Sequence, residues 1–275
     1  MRFYPKGSVH VVETPRSLAL AQAIRGASID AAAMSLPRAI ELSDKEVDIS
    51  IILVLDSSHG ADAVLAKPHI KSIKDLKGKQ VAAEMDSISG YMFLRALEIN
   101  GMSDSDVIMN NIDNREMAEG YERDELDAVA IYGYDRMHVT QLGAHKLFDS
   151  SEIPGEIIDV LVVRNSYLNQ YPNRVVDLLT GWIKITRYLN SLKLGDPLPE
   201  GVMASRDYHN AIQGIKVWTP EENIQAFQNS EKKLQKVINT NLQNSIKLGF
   251  IEGNITPPSI NGDFLAMALE QMKSD

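Results

Sequence analysis

The side chains that carry chemistry in most enzymes are sparse in this chain. None of its 275 residues is cysteine, which removes disulfides, zinc–thiolate sites, iron–sulfur clusters and cysteine nucleophiles. The six histidines are scattered, and His138 and His145 stand seven positions apart, not at the i, i+4 spacing of a helical metal pair. No G-x-G-x-x-G, Walker A or G-x-S-x-G segment occurs. No catalytic group, metal site or cofactor is therefore expected.

What remains is a set of short polar turns that follow apolar runs. Asp56, Ser57, Ser58, His59 and Gly60 follow the run at 49–55. Their hydroxyls and backbone N–H groups could face a ligand, with His59 as a charge partner; the same residues would also make an ordinary capped turn. Ser87, Ser89 and Tyr91 fall at a helix start, where free N–H groups and the helix dipole favour an anion. N-capping would account for the same serines. Tyr132, Tyr134 and Asp135 flank Gly133, and two tyrosines there could wall an amphipathic ligand and offer hydroxyls, or simply fill a rim. Ser35 ends an earlier small-residue run in the same way.

These turns need elements to hold them. The β-branched residues 9–12 read as a strand, and residues 15–25 as a helix closed by Gly26. Residues 29–34 and 49–55 read as strands. The second, broken only by Ser50, lacks alternation and so suits a strand covered on both faces. Further along, the pattern gives a strand at 79–83, a helix at 91–99, a helix at 117–125, and strands at 128–131 and 157–163. A long helix follows Pro172, closing at Gly195, and two more lie within 220–248. One unit recurs. Ile29-Asp30-Ala31-Ala32 and Leu126-Asp127-Ala128-Val129 each follow a helix and lead to a polar residue at a strand's carboxyl end, where open α/β sheets bind ligands. Two such units suggest two lobes facing a cleft.

Composition bounds the partners. With 28 basic against 37 acidic residues the net charge is −9, which repels nucleic acid and anionic membranes. At 44% hydrophobic residues the chain is ordinary globular material, long enough for about two domains. No apolar stretch approaches the length of a membrane span.

Ile73-Lys74-Asp75-Leu76-Lys77-Gly78-Lys79-Gln80-Val81-Ala82 resembles the "DLKGK-x-VA" segment of type II periplasmic substrate-binding proteins of ABC importers. Ser87, the Gly101-Met102-Ser103 turn, Leu126-Asp127-Ala128, Ile29-Asp30-Ala31-Ala32 and Tyr171-Pro172 match their nitrate/sulfonate/taurine-like branch in order, over most of residues 9–250. The resemblance implies an α/β protein of two lobes, residues 1–66 plus 164–275 and residues 70–160, joined by two hinge crossover strands near 63–66 and 159–163. It implies a monomeric receptor, periplasmic or lipid-anchored, that clamps a small, anionic ligand and delivers it to an ABC-importer permease. Ligand contacts would fall at Ser35, the turn from Asp56 to Gly60, Ser87, Ser89, and Tyr132 to Asp135. Residues 1–5 carry no apolar run of export type, and the family's first strand–helix unit has no match before Val9. The native chain is thus expected to begin upstream of Met1, with a vacancy between strands 9–12 and 29–34. A cytosolic enzyme of this fold, or the sensing domain of a membrane receptor, stays open; a ligand recovered unchanged would favour the receptor.

Overall fold

The computed structural model describes residues 3–4, 7–14, 17–44, 47–192, 213–228, 231–251, 253 and 255–274. The apolar runs form two five-stranded sheets. The first contains β1 (Ala31–Ser35), β2 (Ile49–Ser58), β8 (Ile158–Arg164), β9 (Ile215–Val217) and β10 (Ser259–Ile260), in the order β1-β8-β2-β10, with β9 also paired to β2. The second contains β3 (Ala63–Ala66), β4 (Gln80–Ala83), β5 (Ile108–Asn111), β6 (Ala128–Ile131) and β7 (His145–Asp149), in the order β5-β4-β6-β3-β7.

Both sheets are covered on both faces, which is why their strands read as unbroken apolar runs. In the first, Ile51 and Val54 of β2 join a core with α1 (Ser17–Arg25), α2 (Leu36–Asp44), α8 (Pro220–Gln228) and α9 (Glu231–Lys247). Ile52, Leu53 and Leu55 pack oppositely, against α6 (Asn165–Gln170), α7 (Pro172–Ser191) and α10 (Asp263–Ser274). Each such side chain, fully buried, contributes about 1.5–3 kcal/mol. In the second sheet, Met92, Phe93, Ala96 and Leu97 of α3 (Ile88–Ile99) cover one face. α4 (Asn114–Glu122) and Val139 of α5 (Gly133–Gln141) cover the other.

The chain passes between the sheets twice, through residues 59–62 and residues 150–157. The two passages run side by side. Ser150 N donates to the Asp62 carbonyl at 3.0 Å, and Ser58 N donates to the Ile157 carbonyl at 3.0 Å. The Ser58 and Ser150 hydroxyls share a hydrogen bond of 2.7 Å. The expected boundaries shift accordingly. Residues 63–66 form β3, which pairs with β6 and β7 in the second sheet, while residues 159–163 lie within β8, a central strand of the first.

Residues 9–12 form no strand. Val11 and Val12 are exposed and Val9 is only half-buried, so the β-branched run lacks the buried face that a strand would need. Among the described residues β1 pairs only with β8 and lies at the sheet's edge, so no second strand flanks the expected vacancy there. The expected closure at Gly195 lies outside the described residues.

Candidate ligand-binding cleft

β8 runs antiparallel to both of its neighbours, and this register builds half of the site. Asp159 sits opposite Ser35 on one side and opposite Asp56 on the other. Residues opposed across strands share a face, so two carboxylates and a hydroxyl line up at the end of the first sheet. Ser58 and Asp62 extend the row into the first passage. The other half comes from the strand ends of the second sheet: Glu84 after β4, Ser87 and Ile88 at the start of α3, and Tyr132 and Gly133 at the start of α5. Together these residues line a cavity of about 370 Å³ between the sheets. The repeated helix–Asp–strand unit thus delivers its two polar ends, Ser35 and Tyr132, to one space.

The electrostatics are one-sided. Four carboxylates line the cavity and no lysine, arginine or histidine is among the described lining residues. Burial, then the charge of Asp62, raises Asp56 to about 6. Burial, then Asp56 and Asp62, raises Asp159 to about 7. Neither carboxylate has a hydrogen-bond or ion-pair partner among the described residues. Asp62 is also raised by burial, but the Ser58 hydroxyl and the charge of Arg136 oppose the shift. Arg136 itself lies behind the passage, with Nη1 donating to the Gly60 and Ala61 carbonyls. The Tyr132 phenol is raised by burial and by the charges of Glu84, Asp62, Asp159 and Asp135.

The turn from β4 into α3 is tightly tied. Ser87 is the N-cap and accepts from Ser89 N at 3.2 Å, while its hydroxyl donates to the Glu84 carbonyl at 2.9 Å. Ser87 N and Gly90 N donate to the same carbonyl. A Cβ on Gly90 would lie 2.7 Å from Met85 Cα and 2.8 Å from that oxygen, so the backbone can close this tightly only with glycine here.

Of the expected site residues, Ser35, Asp56, Ser58, Ser87 and Tyr132 meet in the cavity. The others do not line it. Ser57 accepts from Trp218 Nε1 at 3.2 Å, and His59 is exposed beyond the strand end. Gly60 gives its N–H to the Ser150 hydroxyl at 2.7 Å. Ser89 is fully buried beneath the turn, where its hydroxyl accepts from Glu84 N, so it cannot reach a ligand. Tyr91 is also fully buried. It points away from the cleft and donates to Glu156 at 2.9 Å, within a cluster holding Arg95 and Asn244. Tyr134 is 67% exposed on α5, and Asp135 sits one turn in from the cavity. Asp62, Glu84 and Asp159 were not anticipated. Asp159 did leave a signal, as the one charge inside an otherwise apolar run at 157–163.

A family model described as NMT1/THI5-like matches residues 8–189. The chain belongs to the NMT1/THI5-like family. No curated protein matches it. Among solved structures, the aliphatic sulphonate-binding protein SsuA of Escherichia coli is 16% identical, over 91% of this chain and 83% of that one, with a TM-score of 0.69. The nitrate-binding protein NrtA of Synechocystis is 11% identical, over 97% and 81%, with a TM-score of 0.69. The desulfurization enzyme DSZB is 12% identical, over 97% and 89%, with a TM-score of 0.60. These likenesses show that this NMT1/THI5-like chain has the two-lobe fold of periplasmic binding proteins, a fold that an enzyme also uses. Among the described residues, no helix is long and apolar enough to cross a membrane.

Proposed function

We propose that this NMT1/THI5-like protein is the solute-binding receptor of an ABC importer. It would hold one small molecule between its two sheet-centred lobes outside the membrane, release it unchanged to a permease, and do no chemistry of its own. The observation that carries this reading is the cavity itself. It lies where strand ends of both sheets meet, beside two adjacent passages that can act as a hinge. Closing two such surfaces on a ligand excludes water and lets each half supply part of the contacts. The raised carboxylates could serve as an acid or base. The Ser58 hydroxyl is shared between the Ser150 hydroxyl and the Asp62 carboxylate.

Native mass spectrometry of the purified protein, with recovery of whatever it carries, tests the proposal. One small molecule per chain, released intact and able to rebind, is the expected result. Progressive conversion of the recovered molecule on repeated incubation would overturn it and leave an enzyme.

A further inference from the structure

The start of α3 faces the cleft and by itself would favour an anion. The charges around the cavity argue for the opposite sign. From the first sheet come Asp56 and Asp159, from the first passage Asp62, and from the end of β4 Glu84. Against four carboxylates, of which Glu84 has a partner of its own, the described lining offers no cationic side chain, and the helix starts of α3 and α5 each contribute only about half a unit of positive charge. The first N–H groups of α3 are partly used within the turn, Ser89 N by the Ser87 hydroxyl and Gly90 N by the Glu84 carbonyl.

Asp159 supplies the second, independent pointer. It faces the cavity, is surrounded by protein on nearly every other side, and has no hydrogen-bond or ion-pair partner among the described residues. Its neighbour across the strands is another acid, Asp56, also without a partner. Like charges directly opposed in a sheet repel, and a buried carboxylate without a partner is costly. Protonation relieves that cost at low pH, and a bound cation would relieve it where both groups are ionised. A bare metal ion is a poor fit, because no group of three or more His, Asp or Glu among the described residues converges closely enough to hold one. The space, about 370 Å³, is that of a small organic molecule.

We infer that the cleft binds a small organic cation, an ammonium or amidinium compound, whose positive group sits between Asp159 and Asp56 and whose body lies against Tyr132. This deepens the receptor reading and rests on it. The phenol ring and hydroxyl of Tyr132, set among the carboxylates, give the body of such a ligand a face to stack on and a polar handle. Asp62, held by Ser58 and facing Arg136, stays partly neutralised by the protein and sets the far wall.

The test uses thermal unfolding at pH 8 and constant ionic strength with millimolar benzamidinium, guanidinium or choline, against ethanesulfonate, nitrate and calcium. The expected result is a raised melting temperature with at least one organic cation and with none of the other three. Asp159→Asn should weaken that binding on the order of tenfold or more, as loss of a charge-assisted partner does. Because the substitution removes a repelling charge, the variant should fold at least as well as the parent, and Asp56→Asn gives a second reading of the same loss. Stabilisation by an anion or by calcium alone, no response to any cation, or unaltered binding in both variants would overturn the inference. The two readings part cleanly: an anion bound and recovered intact removes the cation and leaves the receptor, while a cation that is bound and consumed removes the receptor.

Discussion

Asp56 and Asp159 face one another across β2 and β8 at the head of the cleft, and their protonation should govern the stability of the unliganded protein. Both are raised, by burial first and neighbouring carboxylates second, to about 6 and about 7. A carboxyl raised above its unfolded value of about 3.9 contributes stability that is complete below that value and is lost as pH rises through the folded value. The groups facing the pair are Asp62, Glu84 and Tyr132, with Arg136 behind Asp62 and Asp135 beyond Tyr132; none of them reverses that sign. The melting temperature without ligand should therefore fall between pH 5 and pH 8, with on the order of 2 kcal/mol at stake for the pair after solvent screening. In Asp159→Asn the slope should flatten. A profile that rises over this range would contradict the placement of these groups. Sequence reading reached Ser35, Asp56, Ser58, Ser87 and Tyr132 because each ends or follows an apolar run. It could not reach Glu84 and Asp62, since which acids share a space depends on how two sheets face each other.

At the scale of elements, the β4–α3 turn shows how a backbone requirement supports the site. Gly90 lets the chain fold back so closely that the Glu84 carbonyl collects the N–H groups of Ser87 and Gly90. Gly90→Ala would push a methyl into Met85 and that carbonyl, and overpacking of this kind costs about 1–3 kcal/mol. Because Glu84 and Ser87 both line the cleft, ligand affinity should drop together with stability; chemical denaturation and a binding isotherm on the same variant would check this. A variant as stable as the parent would show that the turn is looser than described. Legibility at this scale follows burial. β2, β4, β6 and β8 were evident because continuous apolar runs leave few other readings. β5 and β7 were not, since Ile108–Asn111 and His145–Asp149 mix polar with apolar residues and are only partly buried. Residues 9–12 misled for the converse reason, a β-branched run that packs against little. Tyr132-Gly133-Tyr134-Asp135 carries turn residues and reads as a turn, yet α5 begins there, with Gly133 at φ +63°.

For the whole molecule, the two lobes meet at the hinge and again at the far side of α3. There Arg95 holds Glu156 through two hydrogen bonds of 2.7 and 2.8 Å, and Asn244 of α9 donates to Glu156 at 3.1 Å. Lys247 pairs with Glu98, and Phe250 lies 6.1 Å from the Tyr91 ring. This cluster ties the first lobe to the second beside the hinge, so rotation of the lobes must either pivot on it or break it. A ligand held at 100 times its dissociation constant should add about 2.7 kcal/mol, or roughly 5 °C in melting temperature for a chain of this size. The account as a whole stands on where that ligand sits. A crystal structure of the protein with the stabilising small molecule tests this most directly. The prediction is one molecule enclosed between the sheets, touching Asp159 or Asp56 on one side and Tyr132 on the other. Density instead in the open groove along α9, at Gln235, Asn239 and Gln243, with the cleft empty, would contradict the account.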